Sequence, residues 1–359
     1  MGVADIVIIG GGIAGVSLAA RLAPQASVIL LEAEETLAHH ASGRSAALYE
    51  PRYGTPAVVE LSLASSDYFH AAEGVLSPRG LLMVGKAGTE AEFAAETRDM
   101  QLDPISPDDA RKMVPILNPD VLTQASFAAH AWDIDTDLLL QGFARKARAH
   151  GAQIVTRARV TAMSRADGQW KIRTESGDFS AGLVVNAAGA WVDQVAAMAG
   201  VSPLGFTPYR RSMARIPAPE GMDPAAWPMI FGAGEAWYAK PDAGALIVSP
   251  AEEHLMAPHD AWADDMVLAE GLARYEEFVT APVTRVISNW AGLRTFSPDR
   301  SLVIGHDLRQ SGFFWLAGQG GQGFQTCPAA SQMAADLITG RPTGLPDSLV
   351  AALSPARFG

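Results

Sequence analysis

A glycine-rich turn near the N-terminus has the residue types and the spacing that bind a dinucleotide. Gly10, Gly12 and Gly15 follow the apolar run 6–9, and a second apolar run, 28–31, ends at Glu32. Glycines permit a tight turn and a close approach of the backbone to a pyrophosphate, and the following helix offers free N–H groups and its positive dipole end. Glu32, 22 residues after Gly10, can accept hydrogen bonds from both ribose hydroxyls. The residues predicted to bind this part of the cofactor are Gly10, Gly12, Ile13, Ala14, Gly15, Glu32 and Ala33.

Three further segments place small residues where a flavin nucleotide needs them. The segment 40–47 combines small residues with Arg44, and the apolar run 183–185 leads into Asn-Ala-Ala-Gly. The glycine cluster 318–323 opens a helix whose N–H groups can face the flavin N1–C2=O edge, where negative charge develops on reduction. Together with the first turn, these segments predict FAD rather than a nicotinamide cofactor. The further predicted cofactor residues are Ser42, Gly43, Arg44, Ser45, Ala46, Val160, Ala188, Gly189, Trp191, Arg294, Gly320, Gly321, Gly323, Phe324 and Gln325.

The elements that carry these segments predict an α/β protein. Strand, turn, helix and strand follow one another within residues 6–31, which is a βαβ unit. Further strands are predicted around 153–160, 169–174, 183–185, 302–304 and 313–316, with helices at 138–150 and 324–338. The pattern predicts a discontinuous Rossmann-like FAD-binding domain (1–50, 142–205 and 284–359). A β-rich α+β substrate-binding domain (51–141 and 206–283) is inserted into it.

Composition excludes several classes of protein. The 359 residues suffice for about two domains, and 48% apolar with 18% charged residues excludes a disordered chain or a coiled coil. A formal net charge of −12 argues against nucleic-acid binding. The single cysteine, Cys327, excludes an internal disulfide framework and a cysteine-built zinc site, and no metal site is predicted. The uncharged stretch 6–20 is too short for a membrane span, so neither a signal peptide nor a transmembrane helix is expected. The predicted location is cytoplasmic, with peripheral attachment to the inner membrane as the alternative.

The chain resembles the FAD-dependent D-amino-acid oxidase superfamily, which includes glycine oxidase, sarcosine oxidase and bacterial D-amino-acid dehydrogenases. Within it, the chain is most similar to D-arginine dehydrogenases. The resemblance implies noncovalent FAD and an oxidoreductase that acts on the Cα–N bond of a D-amino acid. The product is an imino acid that hydrolyses to a 2-oxo acid and ammonia. The matching blocks are 42–47, 53–56, 186–191, 210–212, 227–229, 240–244, 290–294 and 319–321.

The resemblance also implies roles for individual side chains. Arg294 holds the position that binds the substrate carboxylate, which suits the planar fork of a guanidinium. Hydride transfer to flavin N5 then needs orientation more than acid–base help, so no essential general base is predicted. The other residues matched to catalytic or pocket positions are Ser45, Tyr53, Arg211, Tyr238, Gly321 and Gln325.

Three pocket positions depart from the D-arginine dehydrogenase pattern. Leu81 stands where those enzymes have the glutamate that holds the substrate guanidinium, and Leu48 replaces a pocket histidine. Glu50 replaces a threonine and could bind a cationic substrate if it faces the pocket. Because two polar contacts have become apolar, we expect a preference for D-amino acids with apolar side chains.

Other functions remain compatible with the sequence. The first is an amine oxidase for glycine, sarcosine or D-proline that uses O2. The second is a flavin-binding subunit without catalysis of its own, which the intact Arg294, Tyr53 and Tyr238 argue against. A tRNA-modifying FAD protein is disfavoured by the acidic charge. The predicted partners are a small amino-acid substrate and an electron acceptor that the sequence does not identify: a quinone, an electron carrier or O2.

Overall fold

The structure is a computed structural model that describes residues 2–359. The strands, in chain order, are β1 (Gly2–Ile9), β2 (Val28–Leu31), β3 (Leu48–Tyr49), β4 (Leu76–Pro78), β5 (Leu81–Gly85), β6 (Asp103–Ile105), β7 (Gln124–Ala128), β8 (Trp132–Ile134), β9 (Gln153–Val155), β10 (Val160–Ala166), β11 (Gln169–Thr174), β12 (Gly177–Asn186), β13 (Thr207–Pro217), β14 (Met229–Gly232), β15 (Tyr238–Asp242), β16 (Ala245–Ser249), β17 (His254–Leu255), β18 (Ser288–Phe296), β19 (Val303–His306) and β20 (Phe313–Ala317). The helices are α1 (Ile13–Leu22), α2 (Pro56–Ala64), α3 (Ser66–Ala71), α4 (Glu90–Asp99), α5 (Pro107–Met113), α6 (Thr136–Ala149), α7 (Val192–Met198), α8 (Asp265–Glu277), α9 (Gly323–Thr339) and α10 (Asp347–Leu353).

The first sheet has a parallel centre in the order β9, β2, β1, β12, β20. Antiparallel strands β11 and β10 extend it beyond β12, and β19 pairs with β20. Alternate residues of β1 supply two cores, one on each face of the sheet, as expected for strands buried on both sides. Ile6 and Ile8 pack with α1, α6 and α9, while Val7 and Ile9 pack with β11 and α7. This is the α/β architecture predicted for the nucleotide-binding part, and the helices predicted at 138–150 and 324–338 are confirmed as α6 and α9.

The second sheet is largely antiparallel, in the order β17-β13-β16-β15-β14-β5-β7-β6, with β18 paired to β13. A small third sheet, β3-β8-β4, lies beside it. A separate core of aromatic and aliphatic side chains, including Trp237 and Tyr275, packs between the second sheet and helices α5 and α8. This part is the β-rich α+β domain that the sequence predicts.

Hydrogen bonding modifies two of the predicted domain boundaries. β18 pairs with β13 from Thr207↔Phe296 to Arg215↔Ser288, so residues 288–296 belong to the second sheet, although the sequence assigned them to the FAD-binding domain. The boundary between 141 and 142 cuts α6, which is a single amphipathic helix. Its buried side chains share one core with α1. We therefore place 288–296 with the second sheet and all of α6 with the first. The rest of the division stays a proposal. Nowhere between residues 2 and 359 is a helix both long and apolar enough to cross a lipid bilayer.

Candidate active site

The carboxyl ends of the parallel strands form one edge, where the glycine turn lies. Ile9, the last residue of β1, pairs with Leu31 of β2 and with Asn186 of β12, so the segments after these strands start side by side. Gly10 has φ +114°, and a Cβ there would lie 2.3 Å from the Ala187 carbonyl oxygen. A Cβ on Gly15 would lie 2.0 Å from the Gly10 oxygen. The turn is therefore restricted to glycine by backbone packing as well as by conformation.

Glu32 lies at this edge with its carboxylate held by main-chain donors. Its Oε2 accepts from the Gly11 N–H at 2.6 Å, and its Oε1 accepts from the Glu34 N–H at 2.8 Å. The side chain is therefore oriented from β2 across the turn, as the ribose contact requires. Helix α1 has no acidic residue in its first turn, and Ile13 N–H donates to Ser42 Oγ at 3.0 Å. The dipole of α1 is thus available to a phosphate.

A cavity of about 520 Å³ follows this edge between the glycine turn and the ends of β2 and β12. Its volume and its shape, lined by glycine and small residues, fit the adenosine half of FAD. A second cavity of about 130 Å³ continues from the N-terminus of α1 to the N-terminus of α9. Predicted cofactor residues that line the first cavity are Gly10, Gly12, Glu32, Ala33, Ser42, Arg44, Val160, Ala188, Gly189 and Trp191. Those that line the second are Gly12, Ile13, Ala14, Ser42, Arg44, Ser45, Gly189, Arg294, Gly320, Gly321, Gly323 and Phe324.

Gly15 and Gly43 support the turns and do not line these two cavities. A Cβ on Gly43 would lie 2.2 Å from the Ala38 oxygen, so a side chain there would push the 3₁₀ turn 41–44 away from the cavity. Ala46 and Gln325 lie farther along, in the wall of the substrate cavity described below.

Arg44 is bound to other parts of the protein. One of its terminal nitrogens donates to the Ala261 and Ala291 oxygens at 2.8 and 2.9 Å, and the other pairs with Asp260. Arg44 therefore ties the cofactor segment 41–44 to β18 and to the loop 256–264 that covers the large cavity. Arg44 also lines both cofactor cavities, so its assignment as a cofactor residue stays a prediction, and these contacts hold its side chain in place.

Three polar side chains that line the large cavity are not among the predicted cofactor residues. Glu34, His39 and His40 line it, and their possible ligand atoms lie within 4.8 Å of one another. His40 Nε2 lies 3.2 Å from Glu34 Oε1, and the His40 ring packs on Trp191 with centroids 4.6 Å apart. Burial lowers the pKa of His40 and outweighs the opposing effect of Glu34. Their position within eight residues after Glu32 in the chain is the signal that could have identified these residues.

All residues predicted for catalysis and for the substrate pocket line one cavity of about 70 Å³. They are Ser45, Leu48, Glu50, Tyr53, Leu81, Arg211, Tyr238, Arg294, Gly321 and Gln325. Four of them, Ser45, Arg211, Arg294 and Gly321, also line the second cofactor cavity. The two cavities therefore meet at these side chains, which is where the reacting atoms of a cofactor and a substrate would come together.

Arg294 occupies the centre of this junction. The residue lies on β18, and its guanidinium packs on Gly321, where a Cβ would be 3.0 Å from the guanidinium carbon. Among the side chains of residues 2–359, Arg294 has no hydrogen-bond or ion-pair partner, although it borders both cavities. A half-buried guanidinium without an anion is a site for one, and its planar fork suits a carboxylate.

Arg211 lies beside Arg294 on the neighbouring strand. In the pairing of β13 with β18, Gly292 is opposite Arg211 and Tyr209 is opposite Arg294, so both arginines lie on one face. Arg211 is paired only with Glu253, at 3.4 Å, and its Nε has no acceptor. Burial and the charge of Arg294 lower the pKa of Arg211. A buried cation, Arg211, beside the half-buried Arg294 favours binding of an anion between the two guanidinium groups.

Two tyrosines add neutral donors to this anion site. The Tyr53 hydroxyl donates to Glu235 Oε1 at 2.9 Å, and burial together with the charge of Glu235 raises the pKa of Tyr53. The Tyr238 hydroxyl is buried and has no partner, although Tyr238 lines the cavity. The Tyr238 hydroxyl is therefore available to a carboxylate in the cavity, whereas the Tyr53 hydroxyl is engaged by Glu235.

Gln325 holds the main chain of the turn 50–53, which forms part of the wall of the substrate cavity. Its Oε1 accepts from the Glu50 N–H, and its Nε2 donates to the Tyr53 oxygen, both at 3.3 Å. Gln325 thus links the N-terminus of α9 to the turn 50–53. The sequence analysis missed the apolar residues Met100, Met229 and Phe231 in this cavity. Met229 and Phe231 alternate on β14, which pairs in parallel with β5 and so lies beside Leu81.

A wider vestibule of about 540 Å³ adjoins the substrate cavity and shares Tyr53, Met100 and Phe231 with it. Its charged residues are mostly acidic: Glu96, Asp99, Glu235 and Glu253, with Arg52 and Arg300. Burial raises the pKa of Glu96. The vestibule is the volume into which a longer substrate side chain can extend.

Comparison with known proteins agrees with this architecture. Residues 5–337 match the family described as DAO, FAD dependent oxidoreductase. The chain is 25% identical to FAD-dependent oxidoreductase domain-containing protein 1 of Xenopus laevis, over 93% of this chain and 79% of that protein. It is 24% identical to the glycine oxidase of Pseudomonas putida, over 94% of each chain. The crystal structure of L-proline dehydrogenase from P. horikoshii superposes with a TM-score of 0.84 at 23% identity, over 99% of this chain and 98% of that one.

Proposed function

The chain belongs to the DAO family of FAD-dependent oxidoreductases, and on that premise we propose that it oxidises the Cα–N bond of a D-amino acid. The substrate is a small molecule with a free carboxylate and an adjacent amine. The product is an imino acid, which water hydrolyses to a 2-oxo acid and ammonia. Apolar side chains are preferred.

The observation that carries this proposal is the unpaired guanidinium of Arg294 at the junction of two cavities. A carboxylate bound there by two parallel N–H···O bonds fixes the substrate in one orientation. Arg211 and the hydroxyl of Tyr238 are the further donors within this cavity. The Cα of an amino acid held in this way lies toward Ser45 and Gly321, the walls shared with the cofactor cavity.

The chain's own residues account for how FAD is held without a covalent bond. The glycine turn and the N-terminus of α1 suit the pyrophosphate, Glu32 suits the ribose, and the N-terminus of α9 suits the flavin end. Bound FAD supplies the hydride acceptor for the reaction. The protein contributes orientation and a water-poor cavity, since the substrate cavity is small and lined mainly by apolar side chains.

The preference for apolar side chains rests on the composition of the cavity wall. Leu48, Leu81, Met100, Met229 and Phe231 all face the space beside the anion site. At positions 48 and 81, where the resemblance implies polar groups in D-arginine dehydrogenases, this wall is apolar, and Glu50 is the one acid that lines it. One missing polar contact in a buried pocket discriminates by about 10- to 100-fold or more.

A second candidate is oxidation of a small secondary or unsubstituted amino acid, such as sarcosine, D-proline or glycine. The observation that favours it is the volume of the cavity beside Arg294, about 70 Å³, which suits a substrate with little or no side chain. The names of the glycine oxidase and L-proline dehydrogenase that this chain resembles are consistent with such a substrate.

The test is anaerobic mixing of the purified holoenzyme with single compounds, followed by loss of the visible absorption band of oxidised flavin. The panel contains D- and L-enantiomers of alanine, leucine, phenylalanine and arginine, with glycine, sarcosine and D-proline. Reduction by D-amino acids, with D-leucine faster than D-arginine, supports the proposal. Reduction by sarcosine, proline or glycine alone selects the second candidate, and reduction by L-enantiomers alone contradicts the assignment of stereochemistry. Peroxide formation in air then distinguishes O2 from another acceptor.

A further inference from the structure

A buried carboxylate lies in the wall of the substrate cavity that the two arginines also line. Glu50 follows strand β3 directly and is only 4% exposed, and it lines the same cavity of about 70 Å³ as Arg294 and Gly321. One of its oxygens, Oε1, accepts from the Arg52 N–H at 3.1 Å. The other, Oε2, is buried and receives no well-directed hydrogen bond, and His130 Nε2 lies 3.0 Å from it. An under-bonded carboxylate oxygen in a cavity wall is a site for a ligand N–H group.

His130 connects this carboxylate to solvent. The pairing of β3 with β8 sets Tyr49 opposite Trp132, so the residues that continue each strand, Glu50 and His130, come together at its end. His130 Nε2 lies 3.0 Å from Glu50 Oε2 and 3.1 Å from Oε1, and its side chain is 37% exposed. A carboxylate in contact with a partly exposed imidazole can take a proton from the cavity and release it outside.

The shape of the site decides which N–H group reaches Glu50. The vestibule, where a long side chain must go, is lined by Tyr53, Met100 and Phe231, and Glu50 does not line it. A substrate whose carboxylate is bound at Arg294 therefore directs its distal groups away from Glu50. The group left within the small cavity is the α-amine.

We propose that Glu50, relayed by His130, is the proton acceptor for the substrate's α-ammonium group; this inference rests on the proposed function. The ammonium N–H bond breaks, its proton passes to Glu50 Oε2, and the electron pair stays on nitrogen. The Cα–H bond then breaks with both electrons leaving in the hydride that FAD accepts. The nitrogen lone pair forms the second C–N bond of an iminium, and the proton leaves through His130 to water.

The other charged groups near Glu50 are compatible with this role. Arg211 and Arg294 line the same cavity and favour a substrate carboxylate, whose charge they neutralise in part. Lys240 and Asp133 form their own ion pair at 2.8 Å. Arg52, two residues further along the chain, lines the vestibule, and the phenols of Tyr49, Tyr53 and Tyr238 are further titratable groups around Glu50.

The first experiment follows flavin reduction by D-alanine as a function of pH in the wild type, Glu50→Gln and His130→Gln. Glu60→Gln, an exposed change on α2, is the matched control. We expect Glu50→Gln to be slower by roughly 100-fold at neutral pH, the usual contribution of a general base. Its rate should recover as the pH rises, because the substrate then arrives with its amine already neutral. In His130→Gln the acid limb of the profile should move, with little change in the limiting rate at high pH.

The second experiment does not depend on turnover. 2-Aminoisobutyrate has no Cα hydrogen, so it binds without being oxidised. Calorimetry in two buffers of different ionisation enthalpy counts the protons released when it binds. We expect the wild type to release more protons than Glu50→Gln at the same pH. If Glu50→Gln does not retain FAD, the pH profile and the proton release of His130→Gln are used instead to test the proposal.

Several outcomes would overturn the inference while leaving the proposed function intact. One is a Glu50→Gln variant with the wild-type pH profile and proton release. Another is a variant that loses activity only toward D-lysine and D-arginine at every pH, which would make Glu50 a contact for a cationic side chain. By contrast, a wild-type flavin that no amino acid reduces contradicts the proposed function itself.

Discussion

Replacing Arg294 by lysine tests the anion site at the junction of the two cavities. The substitution keeps one positive charge and removes the planar fork. Arg294 has no partner within the part of the chain that the structure describes, so its hydrogen-bonding capacity is available to the substrate. Lysine can still donate to one carboxylate oxygen, but it cannot supply the second parallel bond.

The size of the effect follows from that one lost bond. A hydrogen bond to a charged group contributes about 2 kcal/mol, which corresponds to roughly a 30-fold change in kcat/KM. The carboxylate is bound in the ground state as well as in the transition state, so most of this loss should appear as a higher KM. Arg294→Ala, which removes both bonds and the charge, should lose more than roughly 1,000-fold.

The assay is anaerobic stopped-flow reduction of the flavin over a range of substrate concentrations, together with the FAD content of each variant. Arg285→Lys makes the same chemical change at an exposed position and serves as the control. A lysine variant that retains FAD and stays within a few-fold of the wild-type kcat/KM would remove Arg294 from the carboxylate site. Loss of FAD instead would mean that Arg294 acts mainly on the cofactor.

Three other changes test separate parts of the structure. Gly321→Ala places a Cβ 3.0 Å from the guanidinium carbon of Arg294, so steady-state kinetics should show about a 10-fold lower kcat/KM, since a 1 Å displacement costs about 100-fold. Leu81→Glu adds a carboxylate to the apolar wall and should raise the D-arginine to D-leucine activity ratio by about 10-fold; an unchanged ratio would contradict the pocket assignment. Burial raises the pKa of Asp299, but hydrogen bonds from Arg357 and Ser297 outweigh it and lower the pKa to about 2. This stabilisation is present above about pH 4 and is lost as the pH falls toward 2. Asp299→Asn should therefore lower the free energy of unfolding at pH 7 by about 1 kcal/mol, a value reduced for solvent exposure. Thermal unfolding of both proteins should show that the stability difference between variant and wild type shrinks in acid.

The sequence predicts the cofactor edge well because its determinants are local. The turn after β1 requires glycine since the backbone of Gly10 contacts Ala187 and the backbone of Gly15 contacts Gly10. These contacts arise wherever a βαβ unit brings a helix close to parallel strands, so the spacing alone is informative. Glu32 is likewise placed by the register of β2 against β1.

The substrate side depends on pairings between distant segments, which the sequence does not reveal. Phe231 enters the cavity only because β14 pairs in parallel with β5, about 150 residues earlier in the chain. Glu50 meets His130 only through the antiparallel pairing of β3 with β8. The prediction that no general base is needed followed from the cofactor's chemistry, and it left this pair without a role. The side chain of Arg44 likewise depends on distant segments, since Asp260 and Ala261 hold its guanidinium in the wall of the cofactor cavity.

The arrangement of charge around the cavity is compatible with the proposed binding of a carboxylate in the presence of acidic neighbours. Glu253 approaches Arg211 only to 3.4 Å, and it also pairs with Arg300 at 2.8 Å, so its charge is shared. Glu235 is held by the Tyr53 hydroxyl. These acids line the vestibule and not the small cavity, whose own charges are Arg211, Arg294 and Glu50. An amino acid placed with its carboxylate at the arginines and its amine at Glu50 complements each of them, because one end meets the cations and the other meets the only acid in that wall.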